Sequence, residues 1–389
     1  MISRYDFDTE IDRSGTCATR FDEQKEKFGR DGLIPMWIAD MDFAIPECVW
    51  TAVRTRAQHP VLGYTTAPDS FWESICRWFT ERHGLVLTRE DVDYLPGVKK
   101  GIGLILNYFT KPGDKVVIQP PVYHSFRSVI TGNFREVIDN ALLCDSDDYR
   151  MDFEGLEEIF AREHPRMLIV CNPHNPIGRQ WTREELKRAT DLCAKYGVIC
   201  LSDEIYADMC LNTKHIPTAS VSDDAAAVTV TVSSPSKSFN IPGLASAWCA
   251  VKNPELRDGF FKWLLASEFD TPTLFAIVAT EAAYSQGAAW LDALLAYLDK
   301  NAVVAADMMR SVPGVRAVRP QAGFGLWTDF RGLNYDQKEL DRRLVEVAGV
   351  AVSEGSTFGP GGQGFKRINF GMPRRRLFAD IERIIEALR

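Results

Sequence analysis

A lysine set among hydroxyls, Ser233-Ser234-Pro235-Ser236-Lys237-Ser238-Phe239-Asn240, directly follows the β-branched run Ala227–Val232 (AVTVTV). A lysine desolvated at a strand end keeps its amine available to form a Schiff base, and flanking hydroxyls can bind phosphate oxygens. Two further polar groups stand in comparable places. Asn175 lies in Asn172-Pro173-His174-Asn175-Pro176-Ile177-Gly178, where two Asn-Pro steps and a glycine build a tight turn after the apolar run Met167–Val170. Asp203 follows the run Val198–Ser202 and opens Asp203-Glu204-Ile205-Tyr206. Taken singly, Lys237 reads as a solvated loop lysine, Asn175 as a turn residue and Asp203 as a helix cap. Taken together they lie 28 and 34 residues apart, and each gap suits a βαβ crossover. One parallel sheet would then bring all three to its carboxyl edge, where α/β proteins place ligands.

The elements needed for that sheet are legible. Asp114–Gln119, Met167–Val170, Val198–Ser202 and Ala227–Val232 read as short strands, apolar on both faces as in a covered parallel sheet. Helices are expected at Gly101–Phe109, Tyr123–Thr131 and Thr182–Tyr196, the last opening with the capping box Thr182-Arg183-Glu184-Glu185. This alternation predicts an α/β domain with helices on both faces of a mostly parallel central sheet. Later segments mix the two types over short distances. A helix is expected over 288–309, strands over 315–318 and 325–330, and a helix over 335–347. Strands over 350–353 and 365–370 and a helix over 374–388 complete the chain. We therefore expect a large α/β domain over 46–287. Residues 1–45 and 288–389 would form a smaller α+β domain from both chain ends.

Composition excludes several functions. The 389 residues, 46% hydrophobic and 11% aromatic, are too apolar for disorder and long enough for two to three domains. A net charge of −8 argues against nucleic-acid or membrane-surface partners, which need a basic face. No apolar run approaches the ~20 residues of a membrane span, and Met1–Asp6 lacks a signal-peptide core, so a cytoplasmic protein is expected. None of the nine cysteines is spaced C-x-x-C. Cys171, Cys200 and Cys249 lie in apolar runs and read as reduced core residues. The six histidines show no ligand spacing, so no metal is expected. Gly359–Gly364 lacks the G-K-[ST] ending of a nucleotide loop, and Gly101-Ile102-Gly103 is not a dinucleotide fingerprint because Leu106 breaks it.

The joint pattern N-P-x-N-P-x-G, then S-D-E-x-Y, then S-x-S-K-x-F-N resembles the pyridoxal-phosphate enzymes of the aspartate aminotransferase fold. Trp37-Ile38-Ala39-Asp40-Met41-Asp42-Phe43, Gly63-Tyr64, Ala282–Gly287 with Trp290-Leu291, and Arg367-Ile368-Asn369-Phe370-Gly371 are similar to the branch of MalY/PatB-type cystathionine β-lyases. The resemblance implies a pyridoxal-phosphate transferase-like large domain and a set of roles. Lys237 would hold the cofactor and later move the substrate's α-proton. Asp203 would pair with the pyridine nitrogen, Asn175 and Tyr206 would bond the ring's phenolic oxygen, and Tyr123 would stack on the ring. Gly97, Val98 and Lys99, before the helix, would cradle the phosphate with Ser234 and Ser236. Tyr64 would reach across from the second subunit of a homodimer. Arg367 would clamp the α-carboxylate of a small amino-acid substrate, beside Asn175 and Ala39.

Many aminotransferases of this fold carry an arginine eight residues after the lysine. Here that position is Ala245, and Lys99 or Lys100 could supply the missing charge. The resemblance points to a carbon–sulfur β-lyase acting on L-cystathionine or other S-substituted cysteines. An aminotransferase, or a cofactor-bearing regulatory protein, would use the same residues.

Overall fold

The computed structural model describes residues 5–145 and 147–389. Its centre is a seven-stranded sheet of β2 (Val92–Leu95), β3 (Lys115–Ile118), β4 (Glu136–Asp139), β7 (Met167–Cys171), β8 (Ile199–Asp203), β9 (Thr229–Ser233) and β10 (Ala247–Val251). Numbering follows the chain. β1 (Ile34–Met36) belongs to a second sheet, and β5 (Leu143–Asp145) pairs with β6 (Asp148–Arg150) in a small ribbon. The spatial order is β2-β10-β9-β8-β7-β3-β4. β10 runs antiparallel to both neighbours and the β9-to-β4 pairings are parallel.

The apolar runs produce this sheet because both faces are covered. Alternate residues point to opposite layers. Val116, Ile118 and Leu201 pack with Ile105 and Phe126, whereas Val117, Leu168 and Cys200 pack with Leu156 and Leu186. Register levels the strand ends: Cys171 faces Asp203, and Asp203 faces Val232. The chemistry at 172–175, 203 and 234–237 is thereby gathered at one edge.

The second sheet has the order β1-β13-β14-β12-β11, with β11 (Arg316–Ala317), β12 (Gly325–Asp329), β13 (Val350–Glu354) and β14 (Phe365–Asn369). Its strands come from both chain ends, and β1 pairs in parallel with β13. The 23-residue helix Ala288–Arg310 lies between the two sets of strands in sequence. The fold is thus the expected α/β architecture with a smaller mixed sheet.

Three expectations change in detail. Residues 227–228 end a helix, Asp223–Val228, because Ser222 caps it by accepting from Ala225 N at 3.1 Å; the strand begins at Thr229. The helix expected over 335–347 is α-helical only over Gln337–Asp341 and continues as a π-helix over Arg342–Val347. The strand expected over 315–318 shrinks to Arg316–Ala317. The capping box is present, with Thr182 and Glu185 bonded reciprocally at 3.2 and 2.9 Å. All nine cysteines are free thiols, and Cys171, Cys200 and Cys249 are buried. Among the described residues no helix is long and apolar enough to cross a membrane.

Candidate active site

Lys237 sits on the one-turn helix Pro235–Ser238, immediately beyond β9. Both ends of that turn are fastened. Ser234 caps it, accepting from Ser236 N at 3.0 Å and donating to the Ser246 carbonyl at 2.5 Å. Ser238 donates to the buried Asp208 carboxylate at 2.7 Å. The turn directs Lys237 into an open cavity of about 1150 Å³. There Nζ donates to the Ala39 carbonyl at 2.5 Å. Burial pushes the amine down to about 8; Asp40 and Asp203 oppose this and Arg367 adds to it.

Asp203 lines the same cavity from the end of β8. Its carboxylate is buried and accepts one backbone bond, from Ile205 N at 3.1 Å. Desolvation pushes it up to about 7, with Glu204 adding and Lys237 opposing. Among the described residues it has no ion-pair partner. Tyr206, Tyr123 and Asn175 stand on the cavity wall as well. Burial raises the Tyr206 hydroxyl far above its ordinary value.

Arg367 enters from β14 of the other sheet and is buried. Its donors reach Asn175 Oδ1 at 2.9 Å, the Trp37 carbonyl at 3.0 Å and Ser353 Oγ at 3.2 Å, and its guanidinium lies 5.1 Å from the centre of the Phe358 ring. All of these partners are neutral. A buried arginine ordinarily pairs with a carboxylate, yet among the described residues Arg367 has no ion pair. A buried guanidinium without an anion is costly unless a ligand supplies one.

A helix start completes the cavity wall. Gly97, at φ +104°, turns the chain from β2 into the helix Val98–Phe109, a backbone conformation other residues rarely adopt. The first helical bond is Gly101 N to Gly97 O at 2.8 Å, so the amides of Val98, Lys99 and Lys100 have no intrahelical partner. Pro96–Lys100 and Ser236 line the cavity. Ser234 lies behind Ser236, with its hydroxyl engaged as the cap. Tyr64 lies apart, fully exposed on a segment without regular secondary structure and outside this chain's cavity.

Several residues that hold the site went unassigned in the sequence. Asn369 donates to the carbonyls of Ile38 and Asp40 at 2.6 and 2.8 Å. Asn240 donates to those of Met41 and Phe43, both at 2.9 Å. Together they pin the segment that presents the Ala39 carbonyl. Both asparagines stand inside motifs already noted, which was the available signal.

The arrangement gathers a buried amine, a buried acid, unpaired amides at a helix start and a buried guanidinium around one cavity. The family model described as aminotransferase class I and II matches residues 32–388. The chain belongs to that family. This class I and II member is 38% identical over 384 residues to cystathionine beta-lyase PatB of Bacillus subtilis, covering 98% of this chain and 99% of that one. It is 36% identical to protein MalY of Escherichia coli, covering 99% of each. Among solved structures it resembles cystalysin from Treponema denticola, which contains pyridoxal 5'-phosphate, with a TM-score of 0.94 at 31% identity over 99% and 98% of the two chains. It also resembles the pyridoxal-phosphate-bound C-S lyase from Staphylococcus hominis, with a TM-score of 0.92 at 31% identity over 100% and 99%.

Proposed function

We propose that this chain is a pyridoxal-phosphate-dependent carbon–sulfur β-lyase that converts L-cystathionine or other S-substituted L-cysteines to a thiol, pyruvate and ammonia. The observation that carries it is that two buried ionisable groups of the Lys237 cavity, Arg367 and Asp203, have no ion pair among the described residues, in a relative of a named cystathionine β-lyase.

The donor set fits the cofactor. Asp203, buried and desolvated, is matched by a protonated pyridine nitrogen. The free amides of Val98 and Lys99 after Gly97, with Ser236 supported by Ser234, suit the phosphate. Tyr123 would cover the ring, and Asn175 and Tyr206 would bond its phenolic oxygen. Bound, the cofactor supplies an electron sink for the pair left on the substrate's Cα.

The remaining work falls to the chain. Arg367 binds the α-carboxylate and Asn175 fixes the guanidinium that does so. Lys237, oriented by the Ala39 carbonyl and with its amine depressed to about 8, takes the Cα proton near neutral pH. The Cβ–S bond then breaks, the sulfur leaves as thiolate, and the three-carbon enamine takes up water to yield pyruvate and ammonia.

We infer further that the protein works as a homodimer in the cytoplasm, with Tyr64 of one copy completing the phosphate site of the other. Support comes from its full exposure beside exposed Val61 and Leu62 and from nine unpaired thiols, which suit a reducing compartment. The division into a 46–287 domain and a domain of 1–45 with 288–389 is likewise our reading; each sheet falls within one of them.

The test is pyruvate release from L-cystathionine by the cofactor-loaded protein without any keto acid. Sustained pyruvate with equimolar thiol is expected. Turnover only after adding a keto acid would make it an aminotransferase instead.

A further inference from the structure

Lys237 stands on a helix of only four residues, Pro235–Ser238. One turn has little stability of its own, because nucleation fixes several dihedrals for each hydrogen bond gained. Its closing bond runs from Phe239 N to Pro235 O at 2.9 Å, and Ser234 caps its start. Its last residue, Ser238, is buried, and so is the Asp208 carboxylate to which it donates at 2.7 Å. Asp208 lies on the short helical turn Ala207–Met209, just past Asp203 and Tyr206. The ends of β8 and β9 are locked to each other by Glu204 N to Val232 O at 2.8 Å and by Ser233 Oγ to the Glu204 carbonyl at 2.9 Å. Past those ends, among the described residues, the Ser238–Asp208 bond is the only side-chain hydrogen bond between 203–209 and 235–238. It ties the segment carrying the lysine to the segment carrying the acid and the Tyr206 hydroxyl.

Asp208 is itself held from a third direction. On the helix Asp69–His83, Trp78 Nε1 donates to its Oδ1 at 2.9 Å, His83 Nε2 lies 2.7 Å from the same oxygen, and Arg82 Nε is 3.6 Å away. Burial pushes the carboxyl up, but His83, Ser238 and Arg82 outweigh it and hold it below its ordinary value, so it is ionised at neutral pH. An ionised carboxylate only accepts, so Oδ1 serves Trp78 and His83 while Oδ2 serves Ser238. Phe239, the residue after the turn, is buried against Trp78 and Trp290 at 5.7 and 6.2 Å. Neither Asp208 nor Ser238 lines the Lys237 cavity, so any influence they have on the amine passes through the turn.

We propose that Asp208 is a positioning residue for the reaction at Lys237. Through Ser238 it holds the lysine turn in fixed relation to Asp203 and Tyr206, so that the amine meets the substrate's Cα in an orientation that permits proton transfer. The proposal rests on the reading of Lys237 as cofactor holder and proton carrier given above.

The experiment compares Ser238→Ala, Asp208→Asn and the double variant with the parent holoenzyme. The first removes one hydroxyl, and the second puts an amide where the donors of Ser238, Trp78 and His83 converge. In each single variant kcat for pyruvate release from L-cystathionine falls about five- to twentyfold and KM changes less than about twofold, because misplacement of the proton carrier leaves Arg367 on its own sheet untouched. The double variant loses no more than the larger single loss, since both substitutions cut the same bond. The cofactor is achiral, so the circular dichroism of its visible band, per unit of absorbance, reports how rigidly the chain holds it, and this signal weakens in the same variants. Lower thermal midpoints with unchanged kcat and unchanged dichroism would overturn the proposal, as would single losses that add in the double variant. Should Asp208→Asn fail to fold, kcat and dichroism of Ser238→Ala alone decide. A parent in which borohydride reduction fixes no cofactor on Lys237 would overturn the reading of that lysine, and the positioning role with it.

Discussion

Neighbouring residues on one strand and at the end of another carry like charges and meet opposite surroundings. On β14, Lys366 is buried and ion-paired with both Asp341 and Glu354, while Arg367, the next residue, is buried against neutral acceptors only. At the end of β8 the same split recurs with acids. Glu204 accepts from Thr218 N at 2.8 Å and Ser202 Oγ at 2.9 Å and bonds His215 Nε2 at 2.8 Å. Asp203 has one amide. Burying a charge is costly unless it is paired, so Lys366 and Glu204 are complete as they stand. Arg367 and Asp203 have no such partners among the described residues. The two sets project to different faces because side chains alternate along a strand, and the incomplete face is the one that meets Lys237.

The largest effect should come from the residue at the centre of the incomplete face. Lys237→Ala is expected to lower pyruvate release by about 10³-fold or more while the protein still binds substrate. Substantial residual turnover would show that Lys237 is not the proton carrier.

Substituting both strand cations by methionine sharpens the contrast. Arg367→Met should cost about 10- to 100-fold in kcat/KM, mainly through KM, and leave the thermal midpoint nearly in place. Lys366→Met should do the reverse, lowering the midpoint by about 2–5 °C with activity kept, because two carboxylates lose their cation. Similar behaviour in both variants would break the distinction.

The acids differ in their pH dependence. Burial holds Asp203 up to about 7, against an ordinary 3.8. Between those values the unfolded chain has released a proton that the folded chain keeps. Stability of the cofactor-stripped protein therefore falls as pH rises through this window and levels off above about 7. Asp203→Asn removes that loss, so its gain in thermal midpoint should be larger at pH 8 than at pH 5. An equal gain at both would mean that Asp203 ionises normally. The smallest effect is expected from Lys99→Ala, a few-fold weaker hold on the cofactor, read by dilution and activity recovery.

Short-range patterns carried much of this protein into view. The apolar runs, the 28- and 34-residue spacing and the Thr182–Glu185 capping box are local, and they located Asn175, Asp203 and Lys237 at one sheet edge. Local rules also misplaced the start of β9, because Val228 suits a strand and Ser222 six residues earlier had already capped a helix through it. Ser234 reads as a possible ligand hydroxyl, but its reach to Ser246, twelve residues on, makes it a cap.

What tertiary structure alone decided is which charges are paired. Arg367 meets Asn175 across 192 residues and the Trp37 carbonyl across 330, and Lys237 meets Ala39 across 198. Residue type and spacing by themselves determined that a lysine, an acid and an amide would share the edge of a parallel sheet. Whether a buried charge there is satisfied or waiting depends on partners brought from distant segments, and no local pattern encodes their absence.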